Sequence, residues 1–164
     1  MPAGRLTLVV APRHAPAEQR TTTPATGRDG SLRTPVVWGV VWGCLQAASP
    51  LGFFWLSDTT VYAFGLTLIA AVYIGFAVAD GRPQVIAVET GVAAAFVVVA
   101  AVAVTGSAWL LVAGLAGHGL KDLWQHRTGF VANTRWWPPF CATVDFVAAT
   151  IIAIDIVAGF HFSW

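Results

Sequence analysis

The sequence predicts an all-α, polytopic membrane protein of five transmembrane helices, with its amino terminus inside and its carboxyl terminus outside. Three observations predict it. Of the 164 residues, 57% are hydrophobic and 10% charged, with a mean hydropathy of +0.70, whereas a soluble domain is about a quarter charged. From Pro35 onward, apolar runs alternate with short polar breakers, and the runs approach the roughly 20 residues that a bilayer crossing needs. Every arginine falls on one side of the resulting alternation. The same composition excludes a nucleic-acid binder, because the net charge is only +1 and no basic patch is interleaved along the chain. It also excludes a disulfide-stapled secreted module, because Cys44 and Cys141 lie in apolar runs and read as free thiols.

Residues 1–34 read as a disordered, basic cytoplasmic tail. Five arginines stand there against Glu18 and Asp29, leaving +3 with almost no aromatics. The run Leu6–Ala11 is too short for a signal-peptide core, so a cleaved leader is the weaker alternative. Residues 35–164 read as the five-helix transmembrane domain. Its first helix is expected over about Val36–Leu56, interrupted by Pro50, and its second over Thr60–Ala79, closed by Asp80-Gly81-Arg82-Pro83. The third is expected over Gln84–Val104, the fourth over Ala108–His126, and the fifth over Pro139–Phe160, opened by Pro138-Pro139. With the amino terminus inside, residues 1–34, the 80–83 turn and the 127–137 loop hold all eight arginines, and the outer turns hold none. That is the positive-inside pattern, and it suits a multi-pass protein of the plasma (inner) membrane.

Ionisable groups within a bilayer are expensive and face the bundle interior or a cavity. At 1.5 Å of rise per residue, Glu89 lies roughly 8 Å into the third helix, and Asp122 and His118 roughly 7 and 13 Å in from Arg127. Asp145 lies roughly 10 Å in from Pro138. Three helices thus present Glu89, His118, Asp122 and Asp145 at one depth, and these are the candidate catalytic residues. The alternative for these groups is a purely structural role, as buried hydrogen-bonded pairs that fix helix packing. His118, Asp122 and His126 form one stripe at i, i+4 spacing. His118, Asp122 and Asp145 are the candidate ligands of a divalent metal. His126 is less suited, because the two histidines lie roughly 12 Å apart along the axis. For that reason the metal-free version is favoured, and the cofactor stays unknown, with a divalent metal as the open alternative. Asp155, deeper and toward the other side, is a separate feature.

Eight tryptophans are present. Trp55, Trp109, Trp164, Trp136 and Trp137 fall at interfacial belt positions. Trp38 and Trp42, four apart on the first helix, and Trp124 are the candidate lining of a lipophilic substrate pocket, with lipid-facing anchoring equally weighted. Gly and Ala recur at four-residue spacing, as in Gly75/Ala79, Gly91/Ala95 and Ala113/Gly117, which is a weak signal for close helix approach.

The run Gly117-His118-Gly119…Asp122…His126, followed by Arg135-Trp136-Trp137-Pro138-Pro139-Phe140-Cys141 and Asp145, resembles a pattern of small uncharacterised bacterial membrane proteins. The resemblance covers residues 107–155 and implies that the His–Asp–His stripe and Asp145 form one unit. Trp38-Gly39-Val40-Val41-Trp42, with the size and tryptophan content of the chain, resembles the tryptophan-rich sensory proteins that bind porphyrins and sterols. In architecture alone the chain is similar to five-helix sterol isomerases.

The function expected from these residues is a membrane-embedded enzyme acting by acid–base chemistry, such as isomerisation or cyclisation, on a small lipophilic, isoprenoid-like molecule. Asp145 and Glu89 would exchange protons, and His118 would relay one or orient Asp122. The alternatives are a metal-dependent enzyme, a proton or cation transporter, and a lipophilic-ligand-binding protein. Against transport, the chain has no inverted repeat. The expected partners are a lipophilic molecule or lipid, the membrane itself and a second copy in a homo-oligomer, with no nucleic acid.

Overall fold

A computed structural model describes residues 32–132 and 135–159. Most of the amino-terminal tail, Trp164 and the end of the expected fifth helix lie outside the described residues. The described chain is helical throughout, with no strand: α1 Arg33–Ala47, α2 Asp58–Asp80, α3 Pro83–Thr105, α4 Trp109–Thr128 and α5 Trp137–Ala158.

Local chemistry sets the ends. Ser57 caps α2 by accepting the Thr60 amide at 3.3 Å, satisfying one of the free donors of the first turn. Gly81 closes the same helix at φ +80°, a conformation that favours glycine. Pro83 and Pro138 stand in the first turns of α3 and α5, where the missing amide is harmless. The first helix differs from expectation. It stops at Ala47 instead of running to Leu56, and Ser49–Gly52 forms a 3-10 turn around Pro50. Pro50 has no amide to donate and disfavours a helical residue before it. The freed carbonyls at the end of α1 are taken up by Tyr62, whose hydroxyl donates to Ala47 O at 2.7 Å, and by Ser49, which donates to Gln46 O at 2.6 Å.

Among the described residues, α2, α3 and α5 are long and apolar enough to cross a membrane. The 15-residue α1 rises only about 22 Å. The last turns of α4 carry Lys121, Asp122, Gln125, His126 and Arg127.

Packing follows an inside-out rule. The buried residues of α1 are Pro35, Gly39, Gly43 and Ala47, all small, while Val36, Val37, Trp38, Val40, Val41, Trp42 and Leu45 are exposed. In a bilayer, large aliphatic side chains gain nothing by leaving lipid, so helix association there relies on close van der Waals fit between small residues. A Cβ on Gly39 would stand 2.5 Å from Thr143 Cβ, and one on Gly43 would stand 2.7 Å from Val147 Cβ. Both contacts advance together in number, so α1 and α5 run parallel. The expected small-residue pairs do not make this seam: Gly75, Ala79, Gly91 and Ala95 are exposed, and nothing lies within 4 Å of a Cβ at either glycine. The remaining core is a layer of Tyr62, Leu66, Leu111, Leu115 and Ile152 joining α2, α4 and α5.

The ends of two hairpins are tied together. Asp80 accepts from Arg82 at 2.6 and 2.8 Å and from the Ala132 amide at 2.7 Å, while Arg82 also donates to Phe130 O at 2.6 Å. Beneath this tie, Val131 is buried against Ala77 and Val85. The Asp80 carboxylate holds the Arg82 guanidinium above its ordinary range.

Candidate functional site

One helical turn inside that apolar seal lies a polar cluster. Ala77 and Val85 are four residues from Tyr73 and Glu89, so each apolar residue stacks over a polar one on the same helix face. Glu89, His118, Asp122, Gln125 and Asp145 are all 0–1% exposed. They come from α3, α4 and α5, and Tyr73 of α2, also fully buried, completes the ring.

The cluster has two halves. In the first, His118 Nδ1 shares a hydrogen bond with Asp145 Oδ2 at 2.8 Å and stands 3.5 Å from Asp122 Oδ2. One potential ligand atom from each of His118, Asp122 and Asp145 falls within 4.8 Å of the others. The His118 ring is wedged between aromatic neighbours, 5.0 Å from the Phe96 ring and 5.8 Å from the Tyr73 ring. In the second half, Lys121 Nζ is 2.7 Å from Glu89 Oε2 and lies 3.3 Å from the centroid of the Tyr73 ring. Gln125 donates from Nε2 to Glu89 Oε1. Lys121 also links the halves, at 4.0 Å from Asp122 Oδ1. Gly119 allows the crowding of α4 on α5, since a Cβ there would meet the Phe146 ring at 3.1 Å.

Two polar atoms at the centre have no hydrogen-bond partner, Asp145 Oδ1 and His118 Nε2, while the Tyr73 hydroxyl faces the Asp122 carboxylate. Burying a polar atom without a partner costs roughly 1–3 kcal/mol, and more when it is charged. Electrostatics sharpen this. Three carboxyl groups face one ammonium, so with a neutral imidazole and every carboxyl ionised the cluster would carry two uncompensated negative charges. A low-dielectric interior does not hold two such charges without two protons or a bound cation.

The other expected residues sit elsewhere. Trp38 and Trp42 are about half exposed on the outer face of α1, and Trp124 is half exposed and tilted onto Phe130 at 5.3 Å. Trp38 and Trp42 stand outside the cluster because α1 packs on α5 and barely on α2, and Trp124 because it lies on the exposed face of α4. Trp42 instead edges a cavity beside α5, with Cys141 in its wall. His126 is exposed, pointing off the stripe that buries His118 and Asp122. Asp155 is half-buried and apart from the cluster. Sequence reasoning missed Tyr73, Gln125 and the Glu89–Lys121 pairing. A depth count along α2 finds Tyr73, which is seven residues from Asp80 and so roughly 10 Å in, level with Glu89.

No protein-family model, curated protein or solved structure matches this chain.

Proposed function

We propose that the chain is an integral membrane protein of the bacterial inner membrane, and that His118, Asp122 and Asp145 bind one divalent transition-metal ion for chemistry on a small lipophilic molecule. All five helices cross in this reading, with the amino terminus cytoplasmic. Support for the crossing comes from the exposed aliphatic surface of every helix, from the parallel α1–α5 seam and from the one-sided arginines. The short α1 reaches across with the help of the 3-10 turn that follows it.

The observation that carries the metal reading is the set of His118, Asp122 and Asp145, one ligand atom of each lying within 4.8 Å of the others, with Asp145 Oδ1 and His118 Nε2 unpartnered beside it. Metal–ligand bonds of about 2.0–2.2 Å at tetrahedral angles separate neighbouring ligand atoms by roughly 3.3–3.6 Å. The His118–Asp122 separation of 3.5 Å already fits, and the His118–Asp145 contact of 2.8 Å needs to open by about half an ångström. A divalent charge cancels the two negative charges that Lys121 leaves. The spacing objection between His118 and His126 falls away, because Asp145 supplies the third ligand and His126 is not needed. Imidazole with two carboxylates suits zinc, iron or manganese better than magnesium or calcium. Three protein ligands leave a position open, the mark of a catalytic rather than a structural site. When bound there, such an ion acts as a Lewis acid on an oxygen or lowers the pKa of a water. Glu89 and Lys121, held by Gln125 and Tyr73, position Asp122 from behind.

Elemental analysis of the purified chain tests this. One equivalent of a transition metal is expected in the wild type, lost in Asp122→Asn and in Asp145→Asn, and retained in His126→Ala. A metal-free wild type, or variants that keep the metal, overturns it and returns the cluster to proton chemistry alone.

A further inference from the structure

We propose that the partly enclosed cavity between α1, α2 and α5 binds a ring-sized lipophile carrying one hydrogen-bonding oxygen. This names the substrate class of the centre described above, and rests on that reading only for the chemistry that follows binding. The cavity measures about 130 Å³ and is lined by Trp42, Gln46, Ile69, Phe140, Cys141 and Val144.

Size sets the first limit. An apolar protein cavity of about 150 Å³ accepts benzene, so this one takes a single ring or a short branched end and excludes a diacyl lipid. The walls set the second. Trp42 and Phe140 offer aromatic faces, and Ile69 and Val144 are aliphatic, so the occupant is apolar over most of its surface.

Gln46 sets the third limit. It is the one amide in the wall, half-buried, and brings both a donor and an acceptor into apolar surroundings. No hydrogen bond engages its side-chain amide among the described residues, and an amide in such a setting gains by finding a partner. Its position is made by the fold. Gln46 leans over α2 at Gly65, where any Cβ would collide with its Nε2.

Location relates the cavity to the buried centre. Cys141 is one turn before Asp145 on α5, and Ile69 is one turn before Tyr73 on α2, so in each case the cavity residue and the cluster residue share a helix face. The same two helices wall both the cavity and the cluster. The cavity thus adjoins the cluster along both helices.

The probe is 4-fluorophenol, followed by fluorine NMR with the full chain in detergent micelles. Saturable binding is expected, roughly tenfold weaker in Gln46→Leu, as for the loss of one hydrogen bond worth about 1.4 kcal/mol. Binding is expected to vanish in Val144→Trp and in Cys141→Phe, which fill the space. Helical circular dichroism of both variants should match that of the wild type. Cavity-filled variants that keep their helicity and bind like the wild type overturn the proposal. So does a signal that only partitions linearly into micelles, or displacement by a straight-chain alcohol but not by cyclohexanol, which would assign the space to acyl chains. Repeating the measurement after chelation separates the two readings. Probe binding that persists in a protein shown to hold no metal sustains the cavity and removes the metal centre. A full equivalent of metal without saturable probe binding does the reverse.

Discussion

Lys121 reaches from α4 to Glu89 on α3, closing a buried ion pair at 2.7 Å whose acidic partner is 1% exposed. Removing one partner of such a pair leaves an uncompensated charge, which typically costs 3–5 kcal/mol. Glu89→Gln and Lys121→Met should therefore each destabilise the chain by about 3 kcal/mol. The double variant should recover most of that loss. Denaturant unfolding in micelles, read by circular dichroism, checks the pattern, and additive losses would show that the pair acts independently.

Glycines divide into two classes with opposite expected signs. At Gly39 and Gly43 a side chain would meet Thr143, Val147 and the carbonyls of Phe140 and Val144 at 2.5–3.0 Å. Gly39→Val or Gly43→Val should push α1 off α5 and cost about 1–3 kcal/mol or more. At Gly75 and Gly91 nothing stands within 4 Å. Alanine there should stabilise α2 and α3 by about 0.5–1 kcal/mol, because glycine loses more freedom on folding. The same unfolding assay decides.

A cation that binds only the folded chain should raise its stability. At a free concentration of 100 times Kd, the gain is about 2.7 kcal/mol. Thermal unfolding with added zinc, iron(II) or manganese should show this upward shift in the wild type and in His126→Ala, and none in Asp122→Asn. A shift that survives in Asp122→Asn would place the ion elsewhere.

Asp80 holds the Ala132 amide and, through Arg82, the Phe130 carbonyl. Asp80→Asn should loosen residues 129–132 without altering helix content. Hydrogen exchange at the Ala132 amide is expected to speed up markedly, while exchange in the middle of α2 and α4 stays as before. Unchanged exchange at Ala132 would mean that the burial of Val131 holds the loop by itself.

The helices were legible because an apolar run ended by Asp80-Gly81-Arg82-Pro83 or Thr105-Gly106-Ser107 has few other structures open to it. The end of α1 was less so: a single Pro50 is compatible with either a kink or a stop, and here the chain stops. Depth was legible too, since rise per residue is constant, and that is why Glu89, His118, Asp122 and Asp145 stood out together. Rotation about each axis was not. Where alanine and glycine occur on every face, nothing marks Gly39 and Gly43 as the seam rather than Gly75 and Gly91. Nor does a depth count distinguish Lys121 pairing with its neighbour Asp122 from Lys121 reaching across to Glu89.

The parallel seam between α1 and α5 bears on how the chain is made. During translation, α1 leaves the ribosome about a hundred residues ahead of the helix that covers its glycines. Until then its small-residue stripe stands uncovered. Assembly of this bundle is thus a closing step, with the first described helix docking onto the last, and a chain cut before α5 should leave α1 undocked and open to protease at its 3-10 turn.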